Sequence, residues 1–97
     1  MSILKKYIFL NVLFIVFHVM MFFGGIMGFG SAPDYTPKIE LLKGLLFFAF
    51  IGASPNLVIL VLALIRGKQI RENMKWSLLF FALVFSIYVA VFWSVLE

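Results

Sequence analysis

The chain has 97 residues, of which 65% are hydrophobic and 12% charged, and its net charge is +4. Soluble domains carry about 25% charged residues, so the composition calls for a bilayer as solvent, and the length allows one domain, residues 1–97, with no room for a soluble catalytic module beside its spans. With no Cys, disulfides, thiolate metal sites and a Cys nucleophile are excluded. The basic residues flank apolar runs, which is an orientation signal for a membrane and not a nucleic-acid surface.

In chain order, Lys5 and Lys6 precede residues 7–29, 23 residues without a formal charge. At 1.5 Å per residue this is about 34 Å of helix, enough to cross a hydrocarbon core of roughly 30 Å with some tilt. The run exceeds the apolar region of a cleaved signal peptide, and Pro33 follows the best small-residue cleavage site, so a retained span is expected. Residues 30–40, with Pro33, Asp34, Pro37, Lys38 and Glu40, read as an outside loop. The second span is expected over 41–65. It contains Gly52-Ala53-Ser54-Pro55-Asn56, where Pro55 lacks a backbone donor and frees the Ile51 carbonyl, which predicts a kink. Residues 66–75 read as an inside loop carrying the cations Arg66, Lys68, Arg71 and Lys75, and the third span covers 76–96. The expected fold is therefore an all-α membrane protein, three transmembrane helices in an antiparallel bundle with the second kinked near Pro55.

Lysine and arginine number six on one side (Lys5, Lys6, Arg66, Lys68, Arg71, Lys75) against two on the other (Lys38, Lys43). This bias predicts a multi-pass protein of the plasma membrane, the inner membrane of a bacterium, with its N-terminus in the cytoplasm and its C-terminus outside. In the first span Asn11, His18 and Gly25 recur every seven residues, and Gly24 and Gly28 form a GxxxG pair beside them. In the second, Ala49, Gly52, Ala53 and Asn56 share one side; in the third, Ala82, Ser86, Ala90 and Ser94 make a ridge at spacing four. Such small-residue ridges let helix backbones approach closely, and so they read as packing surfaces. Counting depth from the span ends brings His18, Ser54 and Ser86 to the bilayer midplane with Asn56 close by. A polar group in hydrocarbon is costly unless paired, so a neutral His18 is expected to face inward and bond Ser54, Asn56 or the freed carbonyl near Pro55.

No span interior carries Asp, Glu, Lys or Arg, and the chain has a single His. A carboxylate pair, a two-histidine haem site, a conventional zinc site and a phosphate-cradling loop all lack their residues, so neither an enzyme, a metal site nor a cofactor is expected. The expected function is helix–helix binding to another integral membrane protein, as an accessory, regulatory or immunity-type subunit, with self-association as the other partnership and no nucleic acid involved. The alternative is a homo-oligomeric channel, a holin-like protein or a small transporter in which His18, Ser54 and Asn56 line the path. Three-span holins usually run with the N-terminus outside and a charged tail inside, and this chain departs from both.

Overall fold

The computed structural model describes residues 3–31 and 35–96, and their regular structure is all helical. Four helices, α1 (Ile3–Leu13), α2 (Ile15–Gly30), α3 (Lys38–Arg66) and α4 (Ile70–Phe92), are followed by a 3-10 turn, Trp93–Leu96. Helices α3 and α4 are each long and apolar enough to cross a membrane, whereas α1 and α2 reach that length only together, as a pair bent by 45°. Two helices are thus long and apolar enough to cross a membrane, or three candidate spans when the bent pair counts as one. Its long axis of 49 Å matches a bilayer of about 40–45 Å including headgroups. These are the helices of a membrane protein.

A break of 45° falls within the first expected span, where none was predicted. Helix α3 continues without interruption through Pro55. The Ile51 carbonyl, deprived of its usual donor by the proline, accepts a hydrogen bond from the hydroxyl of Ser54 at 2.7 Å. A side-chain hydroxyl here does the work of the missing N–H, as bilayer helices require. The break in the first span lies at Phe14, where ψ is −8° against about −42° in a regular helix. One turn earlier the Asn11 side chain donates to the Tyr7 carbonyl at 2.7 Å, and a side chain competing for a carbonyl of the preceding turn bends a helix.

The loops are also shorter than expected. Of residues 66–75 only Gly67 to Gln69 lie outside the helices, so Arg66 ends α3 while Arg71 and Lys75 stand on the first turns of α4. Gly67 closes α3 in the left-handed conformation, φ 68°, and its N–H donates to the carbonyls of Ala63 and Leu64 at 2.9 and 3.2 Å, a glycine C-cap. Gln69 follows at φ 47°, and the Asn73 amide spans the turn by donating to the carbonyls of Gln69 and Lys68 at 3.1 and 3.3 Å. Of the expected outside loop, Ala32, Pro33 and Asp34 lie outside the described residues, and α3 begins by Lys38, directly after Pro37.

The α3–α4 interface is the most extensive in the molecule. Its centre is Leu45, Ala49, Tyr88 and Phe92, all buried, with Phe22, Phe29 and Phe48 packed around them. The rings of Phe22 and Phe48 meet those of Tyr88 and Phe92 with centroids 5.0 to 5.7 Å apart, within the favourable range for edge and tilted pairs. Two glycines seat these rings. A Cβ on Gly52 would stand 2.8 Å from Cε1 of Tyr88 and closer still to the end of that ring, and one on Gly25 would stand 2.7 Å from Cζ of both Phe48 and Phe92. A Cβ on Gly24 or Gly28 would meet nothing within 4 Å. Substitution by alanine should therefore split by sign. Gly52→Ala and Gly25→Ala are expected to lower stability by about 1–3 kcal/mol through overpacking, while Gly24→Ala and Gly28→Ala should be neutral or slightly stabilising through helix propensity. Unfolding midpoints of the detergent-solubilised variants in a denaturing-detergent titration measure this.

Candidate functional site: two polar layers and an outward row

Polar side chains gather in two layers inside the helices. The first lies toward the end of the molecule that carries Lys6 and Arg66. Asn11 and Asn56 exchange a reciprocal pair of hydrogen bonds, amide to carbonyl oxygen in both directions, at 2.9 and 3.0 Å. The Ser77 hydroxyl donates to the Asn56 backbone carbonyl at 2.6 Å. The Tyr7 hydroxyl reaches both the side-chain and the backbone carbonyl oxygens of Asn73, at 3.1 and 3.2 Å. Tyr7, Asn56, Asn73 and Ser77 are all buried. This layer ties α1 to α3, α3 to α4 and α4 back to α1.

The second layer is a single bond. His18 Nδ1 on α2 and the Tyr88 hydroxyl on α4 lie 2.7 Å apart; with the imidazole proton on Nε2, the hydroxyl donates. The edge of the Tyr88 ring meets the imidazole, with centroids 5.5 Å apart, while its face lies against Gly52. His18 does face inward, but its partner is Tyr88 and not the Pro55 region.

The expected midplane cluster of His18, Ser54, Asn56 and Ser86 is therefore not one constellation. Ser54 is occupied by the Ile51 carbonyl one turn before it, Asn56 by Asn11, and His18 by Tyr88. Ser86 is exposed on α4. The packing residues also divide. Gly25, Ala49, Gly52 and Ala53 are buried between helices, whereas Gly24, Gly28, Ala82, Ala90 and Ser94 are exposed.

Composition reading missed Tyr88, Asn73 and Ser77. Asn73 falls in the expected loop, but once α4 is started at Ile70, Asn73, Ser77, Val84, Tyr88 and Phe92 form one stripe at helical spacing. A buried tyrosine hydroxyl also needs a partner, which in a chain with one His is a usable clue.

Chemically, the Asn11 and Asn56 carboxamides, the Tyr7 and Ser77 hydroxyls and His18 Nδ1 are engaged within the layers. No buried side-chain nitrogen or oxygen among the described residues lacks a hydrogen-bond partner. No group of three or more His, Asp and Glu among them could hold a metal. The arrangement fixes helix register. The row Ala82, Ser86 and Ala90 is turned to the opposite face of α4 from the stripe of Asn73, Ser77, Tyr88 and Phe92, and Ser94, in the 3-10 turn that follows, is exposed as well. The adjacent rows at the same spacing are larger: Leu79, Leu83, Ile87 and Val91 on one side, and Phe81, Phe85, Val89 and Trp93 on the other. The small row is thus the floor of a shallow channel along α4.

Removing one member of a buried pair leaves the other unsatisfied, so Asn11→Leu and Asn56→Leu should each cost about 1–2 kcal/mol, and the double variant less than their sum. A double-mutant cycle on the unfolding midpoint reads that coupling. Tyr88→Phe, which removes one interhelical bond, should cost about 0.6 kcal/mol in the same titration. No family model matches the chain, and neither a curated protein nor a solved structure matches it.

Proposed function

We propose that the protein is a three-span subunit of the plasma membrane, the inner membrane of a bacterium, that works by docking another integral membrane protein against α4. In this reading α1 and α2 form one bent span, the three spans alternate in direction as an antiparallel bundle, and the N-terminus faces the cytoplasm. The role is accessory, regulatory or immunity-type and not catalytic.

The observation that carries the reading is the row Ala82, Ser86, Ala90 and Ser94, exposed between two rows of larger side chains. Lipid tails are as apolar as leucine and give no reason to line a helix face with small residues, whereas a partner helix gains close backbone contact from them. Rows at spacing four are the geometry by which one helix seats its ridge in the groove of another. The alternative, a path lined by His18, Ser54 and Asn56, is weakened because the Asn56 carboxamide, the Ser54 hydroxyl and His18 Nδ1 are each bonded within the bundle.

The chain has no Cys, so Ser86→Cys supplies a single chemical handle. Crosslinking from that position in native membranes should give one discrete heteromeric product. Ser86→Leu should abolish that heteromer while moving the unfolding free energy by less than about 0.5 kcal/mol, as for other exposed positions. A ladder of homo-oligomers, together with ion flux after reconstitution, would overturn the reading.

A further inference from the structure

We propose that the cleft between α1 and α3 binds one phospholipid with an anionic headgroup, its acyl chain along the apolar walls and its phosphate among Lys6, Arg66 and Lys68. The inference shares the membrane setting of the proposed function but uses none of the α4 row.

The cleft has a volume of about 670 Å³ and opens at the turn between α3 and α4. It exists because α1 does not pack directly along α3. The bend at Phe14 directs α1 away, and the Asn11–Asn56 pair bridges the space between them. At the open end stand Lys6, Arg66 and Lys68, and no carboxylate lines the cleft among the described residues. The ion pair of Glu40 with Lys43 belongs to the other end of α3. Beyond the cations the walls turn apolar, with Leu10 and Phe17 facing Val58 and Leu62, and the cleft reaches Ser54 and Pro55.

Two features select the occupant. The first is charge: three cations at a mouth that no carboxylate lines among the described residues complement a phosphate diester at the membrane surface. The second is length. From Arg66 to Pro55 is roughly 17 Å along the helix axis, which is the depth of one leaflet, half of a hydrocarbon core of about 30 Å. A soluble anion would use the cations and leave the apolar walls unfilled. A zwitterionic lipid would fill the walls but bring a cation of its own beside the three at the mouth, so a net anionic headgroup is favoured.

The test is native mass spectrometry of the purified full-length protein in a mild detergent, titrated with phosphatidylglycerol and with phosphatidylcholine. Working in micelles ensures that an altered membrane orientation cannot imitate a binding defect. One phosphatidylglycerol is expected to bind at least about tenfold more tightly than phosphatidylcholine, and the combined Lys6→Gln, Arg66→Gln, Lys68→Gln variant should lose most of that preference. Lys38→Gln with Lys43→Gln, at the other end of α3, should leave it unchanged. Val58→Trp, at an exposed wall position, should lower the occupancy of both lipids by filling the tail site. Equal binding of the two lipids, or a preference that survives the triple variant, overturns the proposal. So does inorganic phosphate that competes as strongly as the lipid while Val58→Trp has no effect, since that marks a free-anion site. Heteromer formation through Ser86 is read separately, so the two proposals fail independently.

Discussion

A carboxamide in hydrocarbon has to find another hydrogen-bonding group, and Asn11 and Asn56 find each other. Their reciprocal pair sets the height of α1 against α3 to within one residue, because a slip in either helix would carry an amide past its counterpart. Ser77 then fixes α4 to the same level through the Asn56 backbone carbonyl. The other contacts fall into line with that level: Tyr7 reaches Asn73 one way along the bundle, and His18 reaches Tyr88 the other. The individual bonds are weak, typically near 0.6 kcal/mol each in a membrane protein, so their contribution lies more in register than in total stability.

The two ends of the bundle use different means of cohesion. Around Leu45, Ala49, Phe48, Phe92 and Tyr88, close packing of rings dominates, with glycine supplying the space. Dispersion depends steeply on fit, so the rings seat closely on the glycines, beside a groove of about 310 Å³ between α2 and α3. The half near Lys6 and Arg66 is held by hydrogen bonds, which reach across distances that leave a cleft. Tyr88 belongs to both halves, with its ring in the aromatic cluster and its hydroxyl on His18.

Much of the architecture is legible in the residues alone. Long apolar runs bounded by cations give helices that can cross a membrane, and Asn11, His18 and Gly25, spaced by seven, do lie toward the other helices. At Pro55 the residue before the proline also matters: Ser54 reaches the carbonyl that Pro55 frees, and the helix continues through it. The bend at Phe14 has no proline or glycine in its own sequence; one turn earlier the Asn11 side chain bonds the Tyr7 carbonyl, a signal that residue type alone does not give. The row of Ala82, Ser86, Ala90 and Ser94 was visible as a pattern, but periodicity cannot say whether a row faces its own bundle or the outside. Within the bundle, large rings sit on small residues, so the complement of Gly52 is Tyr88 and not another small side chain. Function, unlike fold, has no residue signature here, because the same polar types serve for register as for chemistry.

The Tyr88–His18 bond also bears on how the molecule is made. The two residues are 70 positions apart, and at a synthesis rate of about 5–20 residues per second the histidine exists for roughly 4 to 14 s before its partner is polymerised. Asn11 waits in the same way for Asn56, 45 positions later. The first apolar segment thus leaves the ribosome carrying an imidazole whose partner is not yet made and an amide whose early partner is the Tyr7 carbonyl. During that interval water, lipid headgroups or the insertion machinery must serve the imidazole. Completion of α4 is then the event that closes the bundle, and the first segment is the part of the chain most exposed to capture by a foreign helix before its own have arrived.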